Sequence, residues 1–181
     1  MTKDGRIHAI ITHGGSAVNV IPDYAAIRIA VRATTLGYLD RLCAEVKRRA
    51  EGVGLATSCK VAVAADSLTC RESRVNRELS RLFESNFRLI GIEPKPRGDS
   101  MGSTDVGNVS HVVPTIQAYV GIGTGLATHT VEFREAAVSP EGDKAVLNGA
   151  KVMALTAVDI LTDRSVLERI RKDHAAAAAG Q

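Results

Sequence analysis

Hydrophobic positions follow two different periods along this chain. Residues 6–12, RIHAIIT, read as an extended run. Gly14, Gly15 and NVIPD at 19–23 then supply a loop, because glycine tolerates positive φ and proline fixes chain direction. In YAAIRIAVR, Ile27, Ile29 and Val31 alternate with Arg28, Ala30 and Arg32, the period of two of a half-buried strand. Thr34 or Thr35 is expected to cap a helix over about 36–51. Its apolar stripe is Leu39, Leu42, Cys43 and Val46, and Gly52 and Gly54 are expected to stop it. SCKVAVAA at 58–65 alternates again as a strand. The order β–β–α–β describes a compact α+β half-unit.

From residue 73 the period becomes helical. Ser73 is the expected N-cap of a helix carrying Val75, Leu79, Leu82, Phe83, Phe87 and Ile90, stopped by Gly91. EPKPRGDS at 93–100 reads as an exposed loop, and MGSTDVGNVSH at 101–111 as a second one. VVPTIQAYVGIG follows as an apolar extended run. Ser139 then caps a helix with Pro140 at its first position. Through VLNGAKVMALTAVDIL that helix is apolar on most faces, so burial against a sheet is expected. The tail HAAAAAGQ, with His174 at its head, reads as a frayed helix end or disordered terminus. No internal repeat is seen. The pattern divides the chain into residues 1–67 and 68–181.

Composition narrows the class without naming an activity. The 181 residues are 45% hydrophobic and 24% charged with a net charge of +3, as expected of an ordinary soluble globular protein. Arg71, Arg74, Arg77, Arg81 and Arg88 lie at roughly helical spacing. Without an aromatic stacking platform they read as a solvated face, so no nucleic-acid partner is expected. Cys43, Cys59 and Cys70 lack CxxC spacing and read as buried thiols in a reducing compartment. No secretory segment opens the chain and no apolar run reaches membrane-spanning length, so the expectation is a cytoplasmic protein without a membrane partner.

Three segments carry candidate chemistry. GSTDVGNVS at 102–110 concentrates Ser103, Thr104, Asp105, Asn108 and Ser110 between glycines. Such a loop can bind a carboxylate through hydroxyls and backbone N–H groups, or simply turn the chain ahead of a strand. In NVIPD, Asn19 sits in a loop; Arg32, at the end of YAAIRIAVR, can clamp a carboxylate bidentately or face solvent. His129, in ATHTVEF, follows the glycine-loosened stretch Gly121, Gly123, Gly125. It is either a loop histidine or a metal ligand whose partners lie elsewhere. No HxH, HxxxH or HxD pattern accompanies it.

THGGSAVNVIPDYA, the VRA after it, MGSTDVGNVSHVVP and ATHTVEF occur in an order and at spacings that resemble the metal-dependent aminoacylase/carboxypeptidase family. The likeness is to its amidohydrolase branch, similar to aminobenzoyl-glutamate hydrolases, and runs from about residue 5 to 170. It implies an α/β catalytic domain holding a pair of divalent metals, usually zinc, with a ferredoxin-like lid inserted as a dimerisation module. Residues 1–67 then resemble a partial ferredoxin-like β-β-α-β lid, and residues 68–181 the C-terminal half of the α/β metallohydrolase catalytic domain. The resemblance makes His129 the last metal ligand. It places Ser103, Thr104, Asp105 and Asn108 beside the substrate, and Asn19 and Arg32 among lid residues that reach substrate, often across a homodimer.

The segment carrying the other ligands and the general-base glutamate has no counterpart here. The expected function is therefore part of an amidohydrolase of small, carboxylate-bearing N-acyl or aminoacyl amides, silent as this chain alone. A non-catalytic dimerisation or binding module, or one subunit of a split enzyme completed by a separate N-terminal chain, are the alternatives. The lid's first strand also has no counterpart. Either YAAIRIAVR and SCKVAVAA close up as a parallel βαβ unit, or a partner chain supplies a strand.

Overall fold

The computed structural model describes residues 2–95 and 102–179. The expectation for residues 96–100 of the EPKPRGDS loop and for Met101 lies outside them, as do Gly180 and Gln181. The described residues form two strands and six helices, a mixed α/β composition. The chain divides into two units, Met1–Glu72 and Ser73–Gln181.

In the first unit β1 (Gly5–His13) pairs antiparallel with β2 (Ala26–Ala33). The register sets Gly5, Ile7, Ala9 and Ile11 against Ala33, Val31, Ile29 and Ile27, so one face of the ribbon is apolar. Helix α1 (Leu36–Thr57) packs on that face. A Cβ at Gly5 would stand 3.0 Å from both Leu42 Cδ1 and the Tyr38 hydroxyl. Thr35 is the N-cap, its hydroxyl accepting from Tyr38 N–H at 3.4 Å, while the Glu72 carboxylate accepts from Leu36 N–H at 3.0 Å. Both satisfy donors that a helix start leaves unpaired.

Several expectations fail in this unit. Gly52 and Gly54 do not stop α1, which continues to Thr57 and ends at Ser58, whose φ is +56°. Gly54 instead admits the returning chain: a Cβ there would meet Val61 Cγ2 at 2.7 Å and the Cys59 carbonyl at 3.0 Å. The strand expected at 58–65 is not formed, and β2 pairs only with β1 among the described residues. An alternating pattern becomes a strand only when a neighbour's ladder accepts it, and packing Val61 against α1 turns this segment elsewhere. The parallel βαβ closure is accordingly absent. Cys43 and Cys59 are exposed and Cys70 half-buried, so the buried-thiol reading is also corrected; Cys43 lies off the face of α1 that buries Leu42.

The second unit is helical. Asn76, not Ser73, caps α2 (Arg77–Leu89): its side-chain oxygen accepts from Leu79 N–H at 2.8 Å. Val75 precedes the helix and bridges to Thr115, an isolated parallel contact in place of the extended strand expected after residue 111. α3 (Val106–Ser110) and α4 (Val131–Ala137) are short helices. Ser139 caps α5 (Pro140–Thr162), accepting from Gly142 N–H at 3.2 Å. α6 (Arg164–Ala179) closes the unit, so the tail is helical through most of its length and His174 is not frayed.

Helix α5 packs on α2, α4 and α6 rather than on a sheet. Val152 is fully buried, with Ala145 and Thr156 on the same face. Val146, Leu147, Met153, Val158 and Leu161 form a second apolar stripe that is exposed. By length and composition alone α5 could cross a membrane, which corrects the expectation about apolar runs; core helices of soluble proteins meet the same criterion.

Candidate functional site

The α3 segment is built by short-range bonds and anchored by long-range ones. Thr104 Oγ1 accepts from Val106 N–H at 3.3 Å and lies 3.5 Å from Asp105 Oδ1. Asp105 stands at the N-cap position without a capping bond. The segment expected as a loop closes into one helical turn because Ser110 is buried: its hydroxyl donates to the Gly107 carbonyl at 2.6 Å and accepts from Arg74 N–H at 2.9 Å. The Ser110 carbonyl lies 3.0 Å from His174 Nε2, so that ring nitrogen carries the proton it donates. Ser103 and Asp105 are exposed, Thr104 and Asn108 half-buried.

Sequence reasoning missed this anchoring. Asp173 Oδ2 accepts from Arg77 N–H at 2.6 Å and from Glu78 N–H at 3.4 Å, so α6 closes the N-terminus of α2 from far along the chain. Asn76, only 2% exposed, donates through Nδ2 to the Ile170 carbonyl at 2.9 Å. The signal was present. Leu167, Ile170 and His174 recur at helical spacing and mark the inward face of α6.

His129 has φ of +68°, a left-handed conformation costing a non-glycine residue about 1–2 kcal/mol. Thr130 fixes this turn from both sides. Its hydroxyl donates to the Ala127 carbonyl at 2.9 Å and accepts from Phe133 N–H at 3.2 Å as the N-cap of α4. The imidazole is exposed. Among the described residues no three His, Cys, Asp or Glu side chains form a group able to hold a metal ion, and His129 stands in none.

Asn19 and Arg32 belong to the first unit and the other predicted site residues to the second. Asn19 is exposed in the β1–β2 connection, and Arg32 is exposed on β2 opposite Arg6. Two shallow cavities of about 220 and 410 Å³ between α2 and helices α5 and α6 contain none of these residues. The wall of the smaller one includes Glu78, Arg81 and Arg169, with Glu78 pairing with both arginines.

Comparison with known proteins decides the relationship. The chain is 35% identical over 178 residues to an Xaa-Arg dipeptidase of Homo sapiens, a match covering 96% of this chain and 41% of that protein. The chain belongs to the metal-dependent aminoacylase/carboxypeptidase family. A mouse Xaa-Arg dipeptidase is 33% identical over 177 residues with the same coverage. An N-acetyldiaminopimelate deacetylase of Leuconostoc mesenteroides is 26% identical over 133 residues, 70% of this chain and 34% of that protein. No family model matches the chain. The chain spans about two fifths of the length of the dipeptidases it matches. Both kinds of relative are named for cleavage of an amide bond, a peptide in one and an N-acetyl group in the other.

Proposed function

We propose that this chain is the C-terminal portion of a metal-dependent amidohydrolase acting on N-acyl or aminoacyl amides that carry a carboxylate, and that it is catalytically silent alone. The observation that carries the reading is the likeness of 96% of the chain to two fifths of a dipeptidase. In this reading residues 1–67 are a partial ferredoxin-like lid and residues 68–181 the returning half of the catalytic domain, in a cytoplasmic enzyme. His129 is one ligand of a divalent-metal site, zinc in the first instance, whose other ligands and general base this chain does not carry. The strained backbone at His129 favours a side-chain role there, since Asn or Gly would occupy the turn at lower cost. Ser103, Thr104 and Asn108 offer hydrogen bonds to substrate, with Asp105 contacting it or fixing their loop. Asn19 and Arg32 serve its carboxylate.

Among the described residues no further strand pairs with the β1–β2 ribbon, which favours a second reading, in which the chain acts by association as a homodimer or as one subunit of a split enzyme. The test begins with the purified 181-residue chain. After mild dialysis, elemental analysis should find far less than one zinc per chain, with no hydrolysis of N-acetyl amino acids or dipeptides. Both should appear when the chain is co-expressed with a polypeptide supplying the missing ligands, and His129→Ala should then abolish them. One tightly held zinc in the chain alone, with hydrolysis, would overturn the reading.

A further inference from the structure

The larger cavity of the helical unit, about 410 Å³, lies where α2 meets the end of α5 and the start of α6. Its polar wall is made of acceptors whose own protons are already spent. The Ser85 hydroxyl donates to the Leu82 carbonyl at 2.7 Å, and the Thr162 hydroxyl to the Val158 carbonyl at 2.8 Å. Asn86, only 5% exposed, donates through Nδ2 to Thr156 Oγ1 at 3.2 Å and to Asp159 Oδ2 at 2.8 Å. An ionised carboxylate only accepts, so the second bond fixes which way the amide points. Among the described residues no group donates to Asn86 Oδ1, yet no fully enclosed side-chain oxygen or nitrogen lacks a partner. Oδ1 therefore opens onto the cavity that Asn86 lines. The carboxylates of Asp159 and Asp163 complete this wall. The last turn of α5 carries no basic residue, so the negative end of its dipole adds to their charge. Arg164, next along the chain, pairs with Glu168, and Arg81 and Arg169 of the adjoining smaller cavity pair with Glu78.

We propose that this cavity binds an aliphatic primary ammonium group, held by Asn86 Oδ1 and the carboxylates of Asp159 and Asp163. An ammonium brings three N–H donors and no acceptor, which suits a wall of one amide oxygen and two carboxylates. An anion would meet two negative charges and no side-chain donor with a proton to spare. Leu82, Leu89 and Val166 line the same cavity and give the alkyl stem of the amine an apolar surface to cover. The site uses none of the residues assigned to amide hydrolysis and does not rest on that reading.

The experiment titrates the intact chain with n-butylammonium chloride and follows the Asn86 side-chain amide signals by NMR. Tetramethylammonium chloride, which has the charge without N–H donors, and magnesium chloride serve as separate arms at equal ionic strength. The expected result is saturable shifts at Asn86 with n-butylammonium alone. Methylammonium should bind at least about fourfold more weakly, the value of one buried methylene. Asp159→Asn and Asp163→Asn keep the size of the side chain and should each weaken the affinity about tenfold, the value of one hydrogen bond to a charged group. Asp163 and Leu89 are exposed, so Asp163→Asn and Leu89→Ser test the site even where Asp159→Asn loosens the fold. Leu89→Ser should weaken binding of n-butylammonium and leave that of methylammonium unchanged. Unaltered affinity in Asp163→Asn would overturn the proposal, as would saturation by tetramethylammonium, which shows that charge alone is read. Displacement of n-butylammonium by magnesium would overturn the ammonium assignment.

Discussion

Asn76 stands where three elements of the helical unit meet, and replacing it by alanine tests how the unit is held together. Its side-chain oxygen caps α2 at Leu79 N–H, its amide donates to the Ile170 carbonyl of α6, and its backbone N–H donates to the Thr115 carbonyl at 3.2 Å. Alanine keeps only the last. Losing an asparagine cap costs about 1 kcal/mol, and a buried hydrogen bond removed from one side costs about 1–3 kcal/mol. With only 2% of the residue exposed, water cannot reach in to replace either bond, so Asn76→Ala should destabilise the unit by about 2–4 kcal/mol. Asn76→Ser keeps a capping oxygen but is too short to reach Ile170, and should recover about 1 kcal/mol of that loss. Urea unfolding gives the totals, and hydrogen exchange assigns them: protection should fall in α2 and α6 and stay unchanged across β1 and β2. A loss below about 0.5 kcal/mol, within the range of ordinary surface changes, would refute the reasoning. So would a serine variant no better than alanine.

Two neighbouring glycines in α1 should respond in opposite directions. Gly52→Ala meets nothing within 4 Å and should stabilise the helix by about 0.5–1 kcal/mol, whereas Gly54→Ala drives a methyl group into Val61 and should lower the thermal midpoint; equal effects would contradict the packing described. His129→Gly should raise stability by about 1 kcal/mol in the isolated chain by relieving the left-handed backbone, and should abolish zinc binding in the completed enzyme. A destabilised glycine variant in thermal unfolding would show that the imidazole itself holds the turn.

Much of this fold was legible because its signals are local. Thr35 and Ser139 are caps that act within one turn, Pro140 is compatible with a helix start, and the alternation of Ile27, Ile29 and Val31 against arginines fixes which face of β2 meets α1. Errors arose where a distant residue decides. Ser73 is as good a cap as Asn76 by residue type, but only Asn76 also reaches Ile170. The tail looked frayed by composition, yet Asp173 and His174 bond to α2 and to Ser110 across long separations. Gly54 read as a stop because glycine commonly ends helices, but its role depends on Val61 returning over it. The candidate site was legible only through motif resemblance. Spacing places Ser103, Thr104, Asp105 and Asn108 on one short segment, but it cannot show which other groups face them.

Two of the failed expectations share one physical cause. SCKVAVAA has the alternation of a strand, and α5 has an apolar stripe through Val146, Leu147, Met153, Val158 and Leu161 in addition to the face that buries Val152. Local pattern specifies a surface fit for burial, but only a neighbouring element can bury it. In each case the described residues provide no such neighbour: 58–65 has no ladder to join, and Leu161 remains 84% exposed. A contiguous exposed apolar stripe marks an interaction surface more often than a solvated one. An element with such a surface is fit for burial, and in these two segments the fit is met only in part: Val61 packs over Gly54 of α1, and the outward stripe of α5 stays exposed.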